Sequence, residues 1–163
     1  MPDASAPRLS EPRLTHVALP CSDLDRTIAF YTSLTPLTVV ARNEDANGRS
    51  AWLSNDRQSR DPFVLVFAEF PPDEAARFGQ EPGRPAPTLA PFAHIGIEVP
   101  ERADVDVIAE RGRAMGRLHW EPRDMAEHIG YICALEDPDG NVIEFSHNQK
   151  VFSTVRALWG DGD

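Results

Sequence analysis

The stretch that decides the fold is "FAHIGIEVP", residues 92–100, because it repeats an earlier phrase of the chain. The earlier phrase is "LTHVALPCSDLD", residues 14–25, and each phrase carries one histidine inside an apolar run. Apolar residues alternate around both His16 and His94, and such alternation is typical of β-strands. We therefore interpret the chain as two related halves, each of which begins with a strand that carries a histidine.

The first half continues with a helix and three strands. Apolar residues recur at helical spacing from Leu24 to Leu34. Ser22 is predicted to cap this helix with Asp25 as a capping-box partner, and Pro36 is predicted to end it. The strands that follow are predicted at 37–42, 50–54 and 63–70, with turn-like stretches at 43–48 and 55–62.

The second half repeats this order. A strand is predicted at 92–99, a helix at 101–116, and strands at 117–122, 131–137 and 141–147. The sequence thus predicts an α+β fold of two βαβββ modules. We divide the chain into a disordered lead-in at 1–13, a first module at 14–70, a Pro-rich linker with a short helix at 71–91, a second module at 92–147 and an amphipathic tail at 148–163.

Composition excludes several classes of function. The 163 residues carry a formal net charge of −10, which argues against binding to a nucleic-acid backbone. The chain has no apolar run near the roughly 20 residues that a membrane span needs, and its first residues lack the apolar segment of a signal peptide. We predict a cytoplasmic protein in which Cys21 and Cys133 are reduced.

Three residues of the repeat are candidates for metal binding. Equivalent histidines in two modules would face one shared cavity if the modules close around a pseudo-twofold axis. Glu144 lies between Ile143 and Phe145 in the last strand, where a carboxylate is costly unless it is paired or bound to a metal. Two imidazoles and one carboxylate suit Fe(II), Mn(II), Ni(II), Co(II) or Zn(II) and leave positions open for a substrate.

Three stretches of the sequence, at 14–31, 92–99 and 136–145, resemble the vicinal oxygen chelate superfamily. Its members include glyoxalase I, extradiol dioxygenases, fosfomycin-resistance enzymes and bleomycin-binding proteins. The phrase "DPDGNVIEF" before a strand glutamate is the most specific part of the resemblance. The resemblance implies two modules whose curved sheets form an open cup around a metal held by His16, His94 and Glu144, usually in a homodimer.

Two positions depart from particular members of this superfamily. Glyoxalase I has a fourth ligand on the last strand of its first module, and the matching position here is Val66, with Glu69 nearby but of opposite parity. Extradiol dioxygenases and fosfomycin-resistance enzymes tend to carry a tyrosine ten residues before the glutamate, where this chain has Ala134. The candidate catalytic residues are Glu144 and His128. His128 lies in a loop of the second module, where it could act as an acid or base.

Two classes of function follow from these residues. The first is a divalent-metal-dependent enzyme whose small substrate chelates the metal through neighbouring oxygens, either as a lyase or isomerase or as an Fe(II) ring-cleaving dioxygenase. The alternative is a metal-free protein of the bleomycin-resistance type that sequesters a small molecule in the same cup. The sequence leaves open whether the modules pair within one chain or are exchanged between chains.

Overall fold

The computed structural model describes residues 14–56, 63–81, 83–84 and 87–160. The predicted lead-in at 1–13 and most of the predicted turn at 55–62 lie outside these ranges. The elements of the first half are β1 (His16–Pro20), α1 (Leu24–Leu34), β2 (Thr38–Asp45), β3 (Gly48–Ser54), β4 (Val64–Glu69) and α2 (Pro72–Arg77). Those of the second half are β5 (His94–Glu98), α3 (Arg102–Ala114), β6 (Leu118–Asp124), β7 (Tyr131–Glu136), β8 (Val142–His147) and α4 (Val151–Trp159).

The two halves have the same topology. Their four-stranded sheets have the orders β1-β4-β3-β2 and β5-β8-β7-β6. The pairs β1–β4 and β5–β8 are parallel, while the remaining neighbours are antiparallel. The sequence prediction of two βαβββ modules with mixed sheets is confirmed, and His16 and His94 are the first residues of equivalent strands.

The start of α1 differs from the prediction. Asp23, and not Ser22, is the N-cap, and its carboxylate accepts a hydrogen bond of 2.9 Å from the Arg26 amide. Ser22 instead donates its hydroxyl hydrogen to Asp139 in the other module. A second contact with the helix start comes from Glu69, whose carboxylate accepts from the Leu24 amide at 2.8 Å. Asp23 and Ser22 have the same capping propensity, and in the structure Ser22 contacts the other module while Asp23 caps the helix.

Two strands extend beyond their predicted ends. β2 runs to Asp45 and β6 runs to Asp124. The polar residues that the sequence analysis assigned to a turn or loop at these strand ends therefore belong to the strands. Both strands are outer members of their sheets. Side chains on an outer strand can remain in solvent, which is why polar residues are tolerated there.

One core lies between the two modules. The first sheet packs one face against α1 and the second sheet packs one face against α3, and the buried apolar residues of both modules form a single cluster. Along β1, Leu19 is buried in this cluster and Val17 packs against it, whereas His16 and Ala18, which alternate with them, are exposed. The strand period of two therefore divides each sheet into an inward, core face and an outward face. His16 lies on the outward face of the first sheet.

The "DPDG" turn joins the modules. Asp137 is buried, and its carboxylate accepts hydrogen bonds from the Asn141 amide at 2.9 Å and from the Tyr31 hydroxyl of α1 at 3.2 Å. Burial, with Asp137 beside it, raises the pKa of Tyr31 well above its usual value. Gly140 completes the turn with a φ of 87°, which favours glycine. The most specific phrase of the resemblance thus holds the two modules together as well as preceding Glu144.

The two cysteines give a testable pH dependence. Both are free and buried, and desolvation, with Asp139 beside Cys21 and Asp106 beside Cys133, raises each thiol pKa from 9 to about 12. Between these values the folded chain retains protons that the unfolded chain releases, so the stability falls as the pH rises above 9. We expect the free energy of unfolding to lose about 1.4 kcal/mol per pH unit for each thiol. This full slope is reached above about pH 10, and between about pH 8 and about pH 10 each thiol lowers the free energy of unfolding by about 1.4 kcal/mol in total, which urea unfolding at the two pH values measures.

The Cys133→Ala variant is the matched control for that measurement. It removes one of the two titrating thiols, so its stability should fall less steeply with pH than that of the parent. Equal slopes in the two proteins would contradict the assignment.

Candidate functional site

The outward face of the second sheet brings His94 and Glu144 together. In the parallel β5–β8 register, His94 pairs with Val142 and Gly96 pairs with Glu144, so the histidine and the glutamate share one face at an offset of two residues. His94 Nε2 lies 3.7 Å from Glu144 Oε2. Glu144 is only 5% exposed, and a buried carboxylate needs a partner. Two of the three predicted ligands are therefore adjacent.

Neighbouring groups fix the orientation of the His94 ring. His94 Nδ1 lies 2.6 Å from the Phe92 carbonyl oxygen, and because a carbonyl only accepts, Nδ1 carries the hydrogen. Nε2 then keeps its lone pair for a ligand when the imidazole is neutral. The ring also packs edge-on against Phe92 and Trp120, with centroid distances of 5.7 and 5.9 Å. A backbone acceptor on the second nitrogen is the arrangement commonly found for metal-binding histidines.

Gln149 holds the other side of the Glu144 carboxylate. Its Nε2 donates to Glu144 Oε1 at 3.2 Å, which leaves Oε2 on the side of His94. Strand alternation does not place a residue five positions after Glu144 beside it. Asn148, with a φ of 61°, turns the chain back over the strand end, and asparagine is among the residues that adopt this conformation most readily. The sequence analysis did not identify Gln149 as a neighbour of Glu144. Asn148, a residue type that readily adopts a positive φ, was the only signal in the sequence for this turn.

The distance between His94 and Glu144 suits a shared divalent ion. Two ligand atoms that each lie about 2.1 Å from a metal are about 3.0–3.6 Å apart for bond angles between 90° and 120°. The observed separation of 3.7 Å is just above this range, so a small movement of either side chain would bring both atoms to a shared ion. The donor set, a neutral imidazole and a carboxylate, also fits Fe(II), Mn(II), Ni(II), Co(II) and Zn(II). The pair therefore fits half of a metal site.

His16 lies on the other sheet and does not join this pair. It is exposed at the start of β1, and its Nδ1 lies 2.9 Å from the Thr15 hydroxyl, so Nε2 faces no protein partner in the part of the chain that the structure describes. Within residues 14–56, 63–81, 83–84 and 87–160, no three His, Cys, Asp or Glu side chains are grouped to hold a metal ion. The single chain thus presents a candidate half-site, the His94–Glu144 pair, and, on a separate outward face, His16.

The register identifies the residue of the first module that is equivalent in position to Glu144. In the first module His16 pairs with Val64 and Ala18 pairs with Val66, which repeats the pattern of His94 and Glu144 in the second module. Val66 therefore occupies the position equivalent to Glu144, as the sequence predicts. Glu69 points to the helix side of its sheet, where it contacts the Leu24 amide and forms an ion pair of 2.6 Å with Arg49. Glu69 thus stabilises the start of α1 by accepting the hydrogen bond from the Leu24 amide.

His128 lies at the tip of the β6–β7 hairpin and is exposed. Its backbone carbonyl accepts a hydrogen bond of 3.1 Å from the Lys150 amide, one residue after Gln149. The structure thus places the backbone of His128 near the end of β8, while its imidazole has no contact with His94 or Glu144 among the described residues. Its role as an acid or base stays a prediction. Ala134 pairs directly with Glu144 in the neighbouring strand and is fully buried.

The chain belongs to the Glyoxalase/Bleomycin resistance protein/Dioxygenase superfamily, whose family model matches residues 13–145. It is 35% identical over 149 residues to an uncharacterized protein of Pseudomonas aeruginosa, which covers 90% of this chain and 96% of that protein. It is 26% identical over 145 residues to a probable lactoylglutathione lyase of Vibrio cholerae, with coverages of 87% and 95%.

A solved structure shows the same fold. The trypanothione-dependent glyoxalase I of Leishmania major superposes with a TM-score of 0.63 over 91% of this chain and 95% of that protein. The sequence identity is 20%, so this likeness concerns the fold alone. In the described part of the chain no helix has the length and apolar character of a membrane span.

Proposed function

We propose that this protein is a divalent-metal-dependent enzyme whose metal is held by His16, His94 and Glu144. The observation that carries the proposal is the His94–Glu144 pair, with 3.7 Å between Nε2 and Oε2 and with the outer atom of each side chain already satisfied, by the Phe92 carbonyl and by Gln149. A buried carboxylate beside a lone-pair nitrogen is costly to maintain and chemically suited to a cation.

The third ligand comes from a second copy of the chain. His16 and the His94–Glu144 pair lie on the outward faces of two sheets whose inward faces share one core. A twofold dimer in which the first module of one copy faces the second module of the other would bring His16 of each copy to the pair of the other, forming two equivalent sites. The sequence leaves open whether the modules pair within one chain or between chains. We therefore propose that they are exchanged between chains.

The proposed reaction concerns a small substrate with two neighbouring oxygens. A bound divalent ion supplies Lewis-acid stabilisation of an oxyanion and, in the case of Fe(II), a place for dioxygen. Because Val66 provides no fourth ligand, three protein ligands leave room for both substrate oxygens. Trp120, which packs against His94 on the second sheet, offers an apolar wall to hold the substrate and exclude water. The residue for proton transfer is proposed to be His128, with Glu144 as the carboxylate beside the reacting oxygens.

The first test is the metal content of the purified, untagged protein. We expect one divalent ion per chain in the parent and loss of that ion in the His94→Ala variant, because two remaining ligands from different chains bind a divalent ion weakly. The His128→Ala variant, which removes an exposed imidazole outside the ligand set, is the matched control and should keep its metal. The identity of the ion then ranks the reactions: iron favours a dioxygenase, and nickel, cobalt or zinc favours a lyase or isomerase.

The same measurement can overturn the proposal. If neither the parent nor the variant holds metal after anaerobic loading with Fe(II), Mn(II), Ni(II) and Zn(II), the enzyme proposal fails. The outward faces would then form the cup of a metal-free protein that sequesters a small molecule, and a ligand screen would be the next step.

A further inference from the structure

Helix α4 presents an apolar face that no other residue of the described part of the chain covers. Every residue of α4 is exposed in the structure. Large apolar side chains recur at one side of the helix, at spacings of one, three and four residues. These side chains, which we call the α4 apolar face, are Val151, Phe152, Val155, Leu158 and Trp159.

The size of this face indicates a protein partner. Phe152 is 57% exposed and Trp159 is 79% exposed. Aromatic side chains bury roughly 150–250 Å² each, so these two alone leave about 300 Å² of removable surface. A stable protein interface buries about 800 Å² on each partner. The α4 apolar face would therefore supply more than a third of such an interface, with the remainder coming from surface next to it.

The position of α4 indicates which partner. The helix begins two residues after Gln149, whose amide contacts Glu144, so α4 extends from the edge of the His94–Glu144 half-site. A second copy that brings its His16 to this half-site must place its first sheet against the same region. The outward side of that sheet carries apolar residues, since Val40 is 55% exposed and Trp52 is 45% exposed. Trp52 pairs directly with Val66 and so shares its face.

Charge argues against a lipid surface as the partner. Membrane-bound amphipathic helices are rich in Lys and Arg on their polar side. α4 has Arg156 as its basic residue, with Lys150 at its N-cap, and the whole chain carries a net charge of −10. An anionic membrane would repel such a chain.

We infer that α4 docks its apolar face on the outward side of the first sheet of a second copy, and that this contact carries His16 of that copy to the His94–Glu144 pair. The inference rests on the proposed function and names the element that assembles its site. α4 is a docking element, and the metal ligands lie beside it. Loss of α4 contacts should therefore weaken the dimer, whereas loss of a metal ligand should remove the metal and leave the dimer intact.

The test substitutes two apolar positions of α4. The Val155→Asp/Leu158→Asp variant places two carboxylates in the α4 apolar face, and the Ser153→Asp/Ala157→Asp variant places the same charges on the opposite side of the helix as a matched control. All four residues are exposed, so neither variant disturbs the core of the single chain. We expect the first variant to raise the dimer dissociation constant by about 30-fold or more, and the control to leave it within about threefold of the parent. Light scattering over a concentration series, or sedimentation, measures both.

A substitution on the other side of the contact tests the surface where α4 docks. Val40→Asp lies on the first sheet, far from α4 in the sequence, and it is expected to weaken the dimer in the same way as the α4 variant. The His16→Ala variant, in contrast, should lose metal and remain a dimer. A dimer that forms normally but binds no metal would refute the proposed function while leaving the docking of α4 in place.

Three results would overturn the inference. One is a parent protein that is monomeric at all concentrations tested. Another is a Val155→Asp/Leu158→Asp variant that dimerises as tightly as the parent. The third is binding of the parent, but not of this variant, to vesicles of phosphatidylcholine and phosphatidylglycerol, which would assign the face to a lipid surface.

Discussion

A mixed dimer of the His16→Ala and His94→Ala variants is expected to bind metal that neither variant binds alone. In the proposed exchange, each site takes His16 from one copy and His94 with Glu144 from the other. The mixed dimer then contains one site that lacks both histidines and one site that is complete. Co-expression with two different affinity tags and tandem purification isolates this species. Its metal content should be about half that of the parent dimer.

The reciprocal mixture gives the opposite result. A dimer of the parent with the His16→Ala/His94→Ala double variant has no complete site if modules are exchanged, because each site has lost one histidine. If each chain forms its own site, this mixture keeps half of the parent's metal, while the mixture of single variants keeps none. The two mixtures contain the same total number of histidine substitutions, so a general loss of stability affects them alike. A metal content that follows the second pattern would contradict the exchange.

Strand alternation correctly predicted that His94 and Glu144 project from their strands to the same side of the sheet, because alternation is a local property. The positions of His16, His94 and Glu144 within their strands follow from the period of two, and the parallel register then places Glu144 two residues beyond the partner of His94. The same reasoning predicted Val66 as the equivalent of Glu144. A duplicated sequence strengthens such predictions, because the strand pairing inferred for one module can be applied to the equivalent strands of the other.

Contacts between distant parts of the chain were beyond sequence reasoning. Ser22 and Asp23 have equal N-cap propensity, and the sequence does not indicate that Ser22 contacts Asp139, which is more than a hundred residues away. The contact between Gln149 and Glu144 depends on one left-handed residue, Asn148. The arrangement of the modules depends on which sheet faces share a core. The local sequence pattern predicts which face of a strand carries a side chain. Which residues contact that face depends on the packing of distant parts of the chain.

The Val66→Glu variant should bind divalent metal about 10- to 100-fold more tightly than the parent. Val66 is the partner of Ala18 in the β1–β4 register, just as Glu144 is the partner of Gly96, so a glutamate there lies on the outward face two residues beyond the partner of His16. The position is partly exposed, and a carboxylate at it avoids the cost of full burial. A fourth ligand adds one metal–oxygen bond and one negative charge to a site of two imidazoles and one carboxylate.

The matched control for this variant is Ala68→Glu. It adds the same charge on the same face of β4, but about 6.6 Å farther along the strand from His16, out of reach of a site that includes the histidine. Competition with a chelator for Ni(II) or Mn(II) measures the affinity of each protein without knowledge of the substrate. Equal affinities for Val66→Glu and Ala68→Glu would mean that general electrostatic attraction, or a site elsewhere, explains the binding. A gain confined to Val66→Glu would place the metal against β4 of the first module as well as against β5 and β8 of the second, because only a metal shared by both outward faces can gain a ligand from this position.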